Sequence, residues 1–114
     1  MKLRSLTAVM ITVALSGTAL LAQDAKKIAD GKKLYDTKEC AKCHSIAGKG
    51  AKIDPLDDVG TKLSEADIRT WLKDPASMEA KLTKKPKVKM SSKKIALTDP
   101  ELDALTAYML SIKK

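Results

Sequence analysis

The chain contains no phenylalanine, one tryptophan and two tyrosines among its 114 residues. Aromatic side chains usually supply much of the area that a small core buries. With only Tyr35, Trp71 and Tyr108 to draw on, something other than aromatic packing has to fill the interior. Histidine is scarcer still, since His44 is the single one. Cysteine occurs only at Cys40 and Cys43, so no second Cys or His pair exists to complete a four-ligand zinc site. No alternating run reads as a strand, and no internal repeat or low-complexity stretch is present, which argues against sheet-based and repeat architectures. A length of 114 residues suits one domain and is too short for two.

The one long apolar run lies at the start. Met1, Lys2, Leu3 and Arg4 make a short positive segment, residues 6–21 are apolar with a few Ser, Thr and Gly, and small residues follow around Ala19 and Ala22. That order reads as a secretory signal peptide, cleaved between Ala22 and Gln23. A retained anchor is the competing reading, although residues 6–22 are at the short limit for crossing a bilayer. Removing residues 1–22 takes away Lys2 and Arg4 and lowers the net charge from +8 to +6, leaving one domain over residues 23–114. Domains of that size often need a metal, a disulfide or another staple.

Helical spacing organises most of the remainder. Residues 25–35 place Ile28, Ala29, Leu34 and Tyr35 near one side of a helix that contains Gly31. Glycine there costs up to about 1 kcal/mol relative to Ala, reasonable only where another backbone approaches closely. Residues 45–62 hold Gly48, Gly50, Pro55 and Gly60, which is loop chemistry. A second helix is expected from Ser64 as N-cap, with Ile68, Trp71 and Leu72 inward, stopping near Asp74 before Pro75. Residues 81–94 carry seven lysines and little periodicity and read as irregular. A last helix opens with Thr98 and Glu101 as a capping box and Pro100 in its first turn. Its apolar stripe is Leu102, Leu105, Ala107, Tyr108, Met109 and Ile112, with Lys113 and Lys114 closing it.

The residues that carry chemistry are Cys40-Ala41-Lys42-Cys43-His44. A C-x-x-C-H run is the attachment sequence for c-type haem. Two thiols three positions apart on one helical turn face the same way and reach two vinyl groups, forming thioethers. The next residue, His44, then binds the iron from the proximal side. A haem would also supply the missing apolar bulk. A thioredoxin-like redox pair needs a strand-rich scaffold that this sequence lacks. An ordinary disulfide of an exported protein, or a chance match, remains as an alternative.

Residues 25–114 resemble the class I cytochromes c, which implies an all-α fold of three to five helices around one covalently bound haem c and its iron. In that family a Gly and an aromatic on the first helix pack against an aromatic on the last, as Gly31, Tyr35, Tyr108 and Leu105 would here. The resemblance makes Pro55 the residue whose carbonyl accepts a hydrogen bond from the proximal imidazole, orienting it. It sets Trp71 near a haem propionate, with plain core packing as the other reading. It makes Met90 the distal iron ligand, with Met78 as rival and Met109 as core. Ser91 follows Met90 where the family often has Pro, so a mobile loop is expected, with Lys87 or Lys89 replacing Met90 at high pH.

The lysines of residues 81–94 read either as a solvated surface or as a positive rim that steers the protein toward acidic redox partners, such as an oxidase, reductase or dehydrogenase. Nucleic acid does not fit an exported chain with so few aromatics, and stable membrane insertion after cleavage is not expected. The resulting expectation is a monomeric periplasmic carrier of single electrons between respiratory partners, not an enzyme: both axial positions are filled and no acid–base pair is placed over an open iron. The alternatives are a cytochrome c subunit of a larger oxidoreductase, and a haem protein with an open site for gas or peroxide.

Overall fold

The computed structural model describes residues 16–114, with side chains from residue 21 onward except those of residues 92 and 94. Residues 1–15, most of the expected signal peptide, lie outside the described residues. In chain order the elements are α1 (Ser16–Thr37), a 3-10 turn (Cys40–Lys42), β1 (His44–Ile46), β2 (Lys49–Gly50), β3 (Asp54–Pro55), α2 (Val59–Lys62), α3 (Glu65–Lys73), α4 (Pro75–Lys81), α5 (Ser92–Ile95) and α6 (Asp99–Ser111). Four of these helices have seven residues or more, while α2 and α5 are single turns of four. No helix among the described residues is long and apolar enough to cross a membrane.

Local chemistry explains the helix ends. Thr98 Oγ1 accepts the Glu101 N–H at 3.4 Å, and Glu101 Oε1 accepts the Thr98 N–H at 3.2 Å, so both partners of the expected capping box are satisfied. Ser64 Oγ accepts the Asp67 N–H at 3.2 Å and starts α3 as expected. Asp74 ends α3 and also starts α4: its carboxylate accepts the Ser77 N–H at 3.3 Å, and Pro75 follows in the first turn, where its missing N–H costs nothing. Lys113 and Lys114 do not close α6 as expected. The chain leaves the helix after Ser111, the Gly60 N–H donates to the Ile112 carbonyl at 2.9 Å, and the Lys114 N–H donates to Asp58 Oδ1 at 3.2 Å. The C-terminus is thereby fastened to α2.

The small sheet corrects the expectation of no strands. β1 lies between its neighbours, antiparallel to β2 and parallel to β3, with Ser45 opposite both Gly50 and Pro55. Strands of two or three residues are too short to show an alternating pattern. The reversal between β1 and β2 runs through positive φ at Ala47 (52°) and Gly48 (77°), where the Ala47 N–H donates to Asp57 Oδ1 at 2.7 Å.

The core sits where α6 packs against α1 and α3. Tyr35, Ile68, Leu72, Leu102, Leu105 and Met109 form one buried cluster. Tyr35 meets Tyr108 edge to face, with ring centroids 5.9 Å apart and planes at 70°, a favoured aromatic geometry. Burial pushes the Tyr35 hydroxyl up to about 12, so it stays protonated. Arg69 ties α3 to α6 through Asp103 Oδ1 at 2.7 Å, a partly exposed pair worth under about 1 kcal/mol. Trp71 departs from the inward position expected of it. Ile68 and Leu72, four residues apart, share the buried face, and Trp71 on the flank is only half-buried.

Gly31 sets how closely α1 and α6 approach. A Cβ at this position would collide with the Ala104 carbonyl oxygen and lie 2.7 Å from Tyr108 Cβ. The glycine that weakens α1 alone therefore permits the contact that stabilises the pair. Gly31→Ala is expected to lower the stability of the haem-loaded protein by about 1–3 kcal/mol in denaturant titration, through overpacking. A gain of up to about 1 kcal/mol, the effect of helix propensity alone, would refute the close-approach explanation.

Candidate functional site

The Cys40–His44 run occupies a tight corner between α1 and the sheet. Glu39, in the left-handed region at φ 59°, turns the chain out of the α1 exit and into the 3-10 turn. A 3-10 helix has three residues per turn, so positions i and i+3 eclipse. Cys43, closing that turn through its N–H to the Cys40 carbonyl at 3.1 Å, is returned to the side of Cys40. Both cysteines are half-buried free thiols. The spacing argument therefore holds, on a 3-10 turn rather than an α-helical one.

The loop of residues 49–56 wraps round this corner by main-chain bonds. The Ala51 N–H donates to the Ala41 carbonyl at 2.9 Å, the Asp54 N–H to the Cys43 carbonyl at 3.2 Å, and the Leu56 N–H to the Ser45 carbonyl at 2.8 Å. Gly50 makes the wrap possible. It has φ 105°, and a Cβ there would strike the His44 carbonyl oxygen and lie 3.1 Å from that of Ala41. Tyr35 Oη lies 3.4 Å from the same His44 carbonyl, linking the core helix to the corner.

His44 has a side chain only 15% exposed, and its Nδ1 lies 2.9 Å from the Asp54 carbonyl oxygen. A carbonyl only accepts, so Nδ1 carries the proton and Nε2 is left with its lone pair for a metal. The acceptor was expected to be Pro55. The parallel register sets His44 against Asp54 and brings the preceding carbonyl to the ring, so Pro55 is a neighbour in β3 and not the partner. The Asp54 carboxylate is farther off, with Oδ2 3.5 Å from Nδ1, and the shorter main-chain contact is the orienting bond.

Met90 lies in the irregular segment between α4 and α5, half-buried and packed against the core cluster. Its N–H donates to Glu79 Oε1 at 2.8 Å. Met78 is half-buried on α4, and Met109 belongs to the core as expected. Lys87 and Lys89 are exposed beside Met90, and Trp71 is half-buried on α3. A surface depression lined by Arg69, Thr70, Lys73, Leu102 and Asp103 involves none of Cys40, Cys43, His44 or Met90. The Asp54 carbonyl and Glu79 were not singled out in the sequence, and Gly50 was read there only as loop chemistry. Gly50 in the run Gly48-Lys49-Gly50 had a readable turn signal, whereas the roles of Asp54 and Glu79 depend on register and burial.

The donor set fits a covalently held haem. Among the described residues no group of three or more Cys, His, Asp and Glu is arranged to hold a bare metal ion. Burial pushes the Cys40 thiol up, the reverse of the lowered value that a thioredoxin-like attacking cysteine requires. What remains is two thiols on one side of a turn, one imidazole with its outer nitrogen free, and a core with little aromatic content. A cytochrome c family model matches residues 28–113, and the chain belongs to that family. No curated protein and no solved structure matched it. The fold is accordingly the cytochrome c fold, the cofactor is haem c with iron, attached through Cys40 and Cys43, and the general role is that of an electron carrier.

Each thioether consumes one thiol and one vinyl group. Cys40→Ala is expected to leave a single bond through Cys43 and to shift the reduced spectrum to longer wavelength, because one vinyl stays conjugated with the ring. Intact-mass measurement should still find haem attached to Cys43. Haem lost entirely on acid extraction of this variant would show that Cys43 does not attach it.

Proposed function

We propose that residues 1–22 are removed on export, and that residues 23–114 carry single electrons in the periplasm between respiratory partners on a haem ligated by His44 and Met90. The observation that carries this reading is the ligand arrangement. His44 is oriented by a main-chain acceptor on the proximal side, and a half-buried Met90 is anchored on the loop that the family uses distally. Bound haem supplies reversible one-electron exchange, and thioether coordination favours its ferrous state relative to a second histidine.

The chain's own residues then have distinct tasks. Cys40 and Cys43 tether the cofactor, the Asp54 carbonyl keeps His44 basic and aligned, and Met90 closes the sixth position against small ligands. With that position closed and no second histidine to move protons, the site is suited to electron transfer and not to catalysis. Trp71, half-buried on α3, is assigned to the propionate side of the cofactor.

Lys81, Lys84, Lys85, Lys87, Lys89 and Lys93 are all exposed around the Met90 segment. That single-sign surface favours an acidic partner approaching the haem edge, with the chain acting as a free monomer.

Optical spectra of the purified protein test the ligand reading. The ferric form is expected to be low-spin with the long-wavelength sulfur-to-iron band, and the ferrous form to resist carbon monoxide at neutral pH. Ready carbon monoxide binding would replace the carrier with an open-site haem protein. The steering reading is tested by reaction with small one-electron reagents. Exchange with an anionic reagent should slow several-fold between about 0.01 and 0.1 M salt, and exchange with a cationic one should quicken. Rates that ignore salt would leave the lysines as solubilising surface alone.

A further inference from the structure

Glu79 is buried, at 7% exposure, on a seven-residue helix whose Ala76, Ala80 and Lys81 are exposed. A carboxylate in that setting persists only where specific partners offset its lost hydration. Its partner is the main chain of the proposed distal loop: Oε1 accepts the Met90 N–H at 2.8 Å, across eleven positions of sequence. The same end of α4 receives a second tie. Lys85 Nζ donates to the Glu79 carbonyl at 2.9 Å, which also accepts the Leu82 N–H, and to the Ala80 carbonyl at 3.0 Å, where the helix ends. The segment between α4 and α5, without regular structure and with Leu82 and Val88 exposed, is thus fastened at its middle and at Met90 to one turn of α4.

We propose that Glu79 is a positioning residue for the redox centre: its carboxylate fixes the Met90 main chain and so keeps the Met90 thioether in place as distal ligand. The inference rests on the reading of Met90 as ligand. It accounts for Ser91, which cannot stiffen the loop as a proline would. The restraint comes instead from the hydrogen bond between the Met90 N–H and the buried Glu79 side chain.

Imidazole added to the ferric holoprotein provides the test. It coordinates only when Met90 has left, so its apparent dissociation constant varies inversely with the fraction of protein whose loop is open. Loss of the sulfur-to-iron band reports the exchange. Glu79→Leu removes the acceptor and is expected to tighten apparent imidazole binding about tenfold or more. Glu79→Gln keeps an oxygen of the same reach and should stay within about threefold of wild type. Ser64→Ala removes the N-cap of α3, outside the cluster that Met90 packs against, and should leave imidazole binding unchanged. If Glu79→Leu does not mature, Glu79→Asp withdraws the oxygen by one methylene and is expected to act in the same direction.

Imidazole binding in Glu79→Leu or Glu79→Asp that matches wild type would overturn the proposal and leave Met90 as ligand. Equal tightening in Ser64→Ala would also overturn it, as general loosening. A wild-type protein without the sulfur-to-iron band would overturn both readings together.

Discussion

The whole domain depends on the main-chain wrap that holds the Cys40–His44 corner. Three side chains from one short stretch have to address one cofactor, two through covalent bonds and one through iron, and none tolerates a loose backbone. The structure meets this with hydrogen bonds from Ala51, Asp54 and Leu56 to carbonyls of residues 41–45. These bonds are possible only because Gly50 has no Cβ to strike the His44 carbonyl. The imidazole is aimed by the same wrap, since the loop that supplies these donors also supplies its acceptor, the Asp54 carbonyl.

The helices serve this corner in two ways. α1 and α6 lock against each other at Gly31, and Tyr35 extends the contact from the core to the His44 carbonyl. The opposite loop is tied down by α4 through Glu79 and Lys85. The two prospective ligands therefore come from a three-residue strand and from an irregular segment, each tied to a helix beside it. That arrangement suits a small chain poor in aromatics, in which a flat apolar cofactor takes the place of side chains that a larger protein would pack.

Features written into local chemistry were legible in the sequence. The attachment motif, the capping box at Thr98, the Ser64 cap and the stop before Pro75 each depend on a few adjacent residues, and each appears as expected. The costly Gly31 likewise had a readable purpose. The misses depend on distance along the chain. The strands are shorter than any periodic signal, and α4 shows itself only through Asp74 serving two helices. The partner of His44 shifted from Pro55 to Asp54 because strand register, which residue type does not determine here, decides which carbonyl meets the ring. Lys113 and Lys114 suit a helix end by charge, yet the chain leaves α6 earlier to bind Asp58 and Gly60. Glu79 would pass for one more solvated acid until its burial is known.

The acceptor for the proximal imidazole is a main-chain oxygen, and this separates two properties that a side-chain acceptor would merge. Position 54 can change its side chain without surrendering the bond that orients the ring. The Asp54 carboxylate, 68% exposed and with an oxygen 3.5 Å from Nδ1, is free to vary in charge independently. Alignment of the ligand belongs to the backbone, while the local field is left to a replaceable group, so the midpoint of such a centre could drift in evolution without the fold being redrawn.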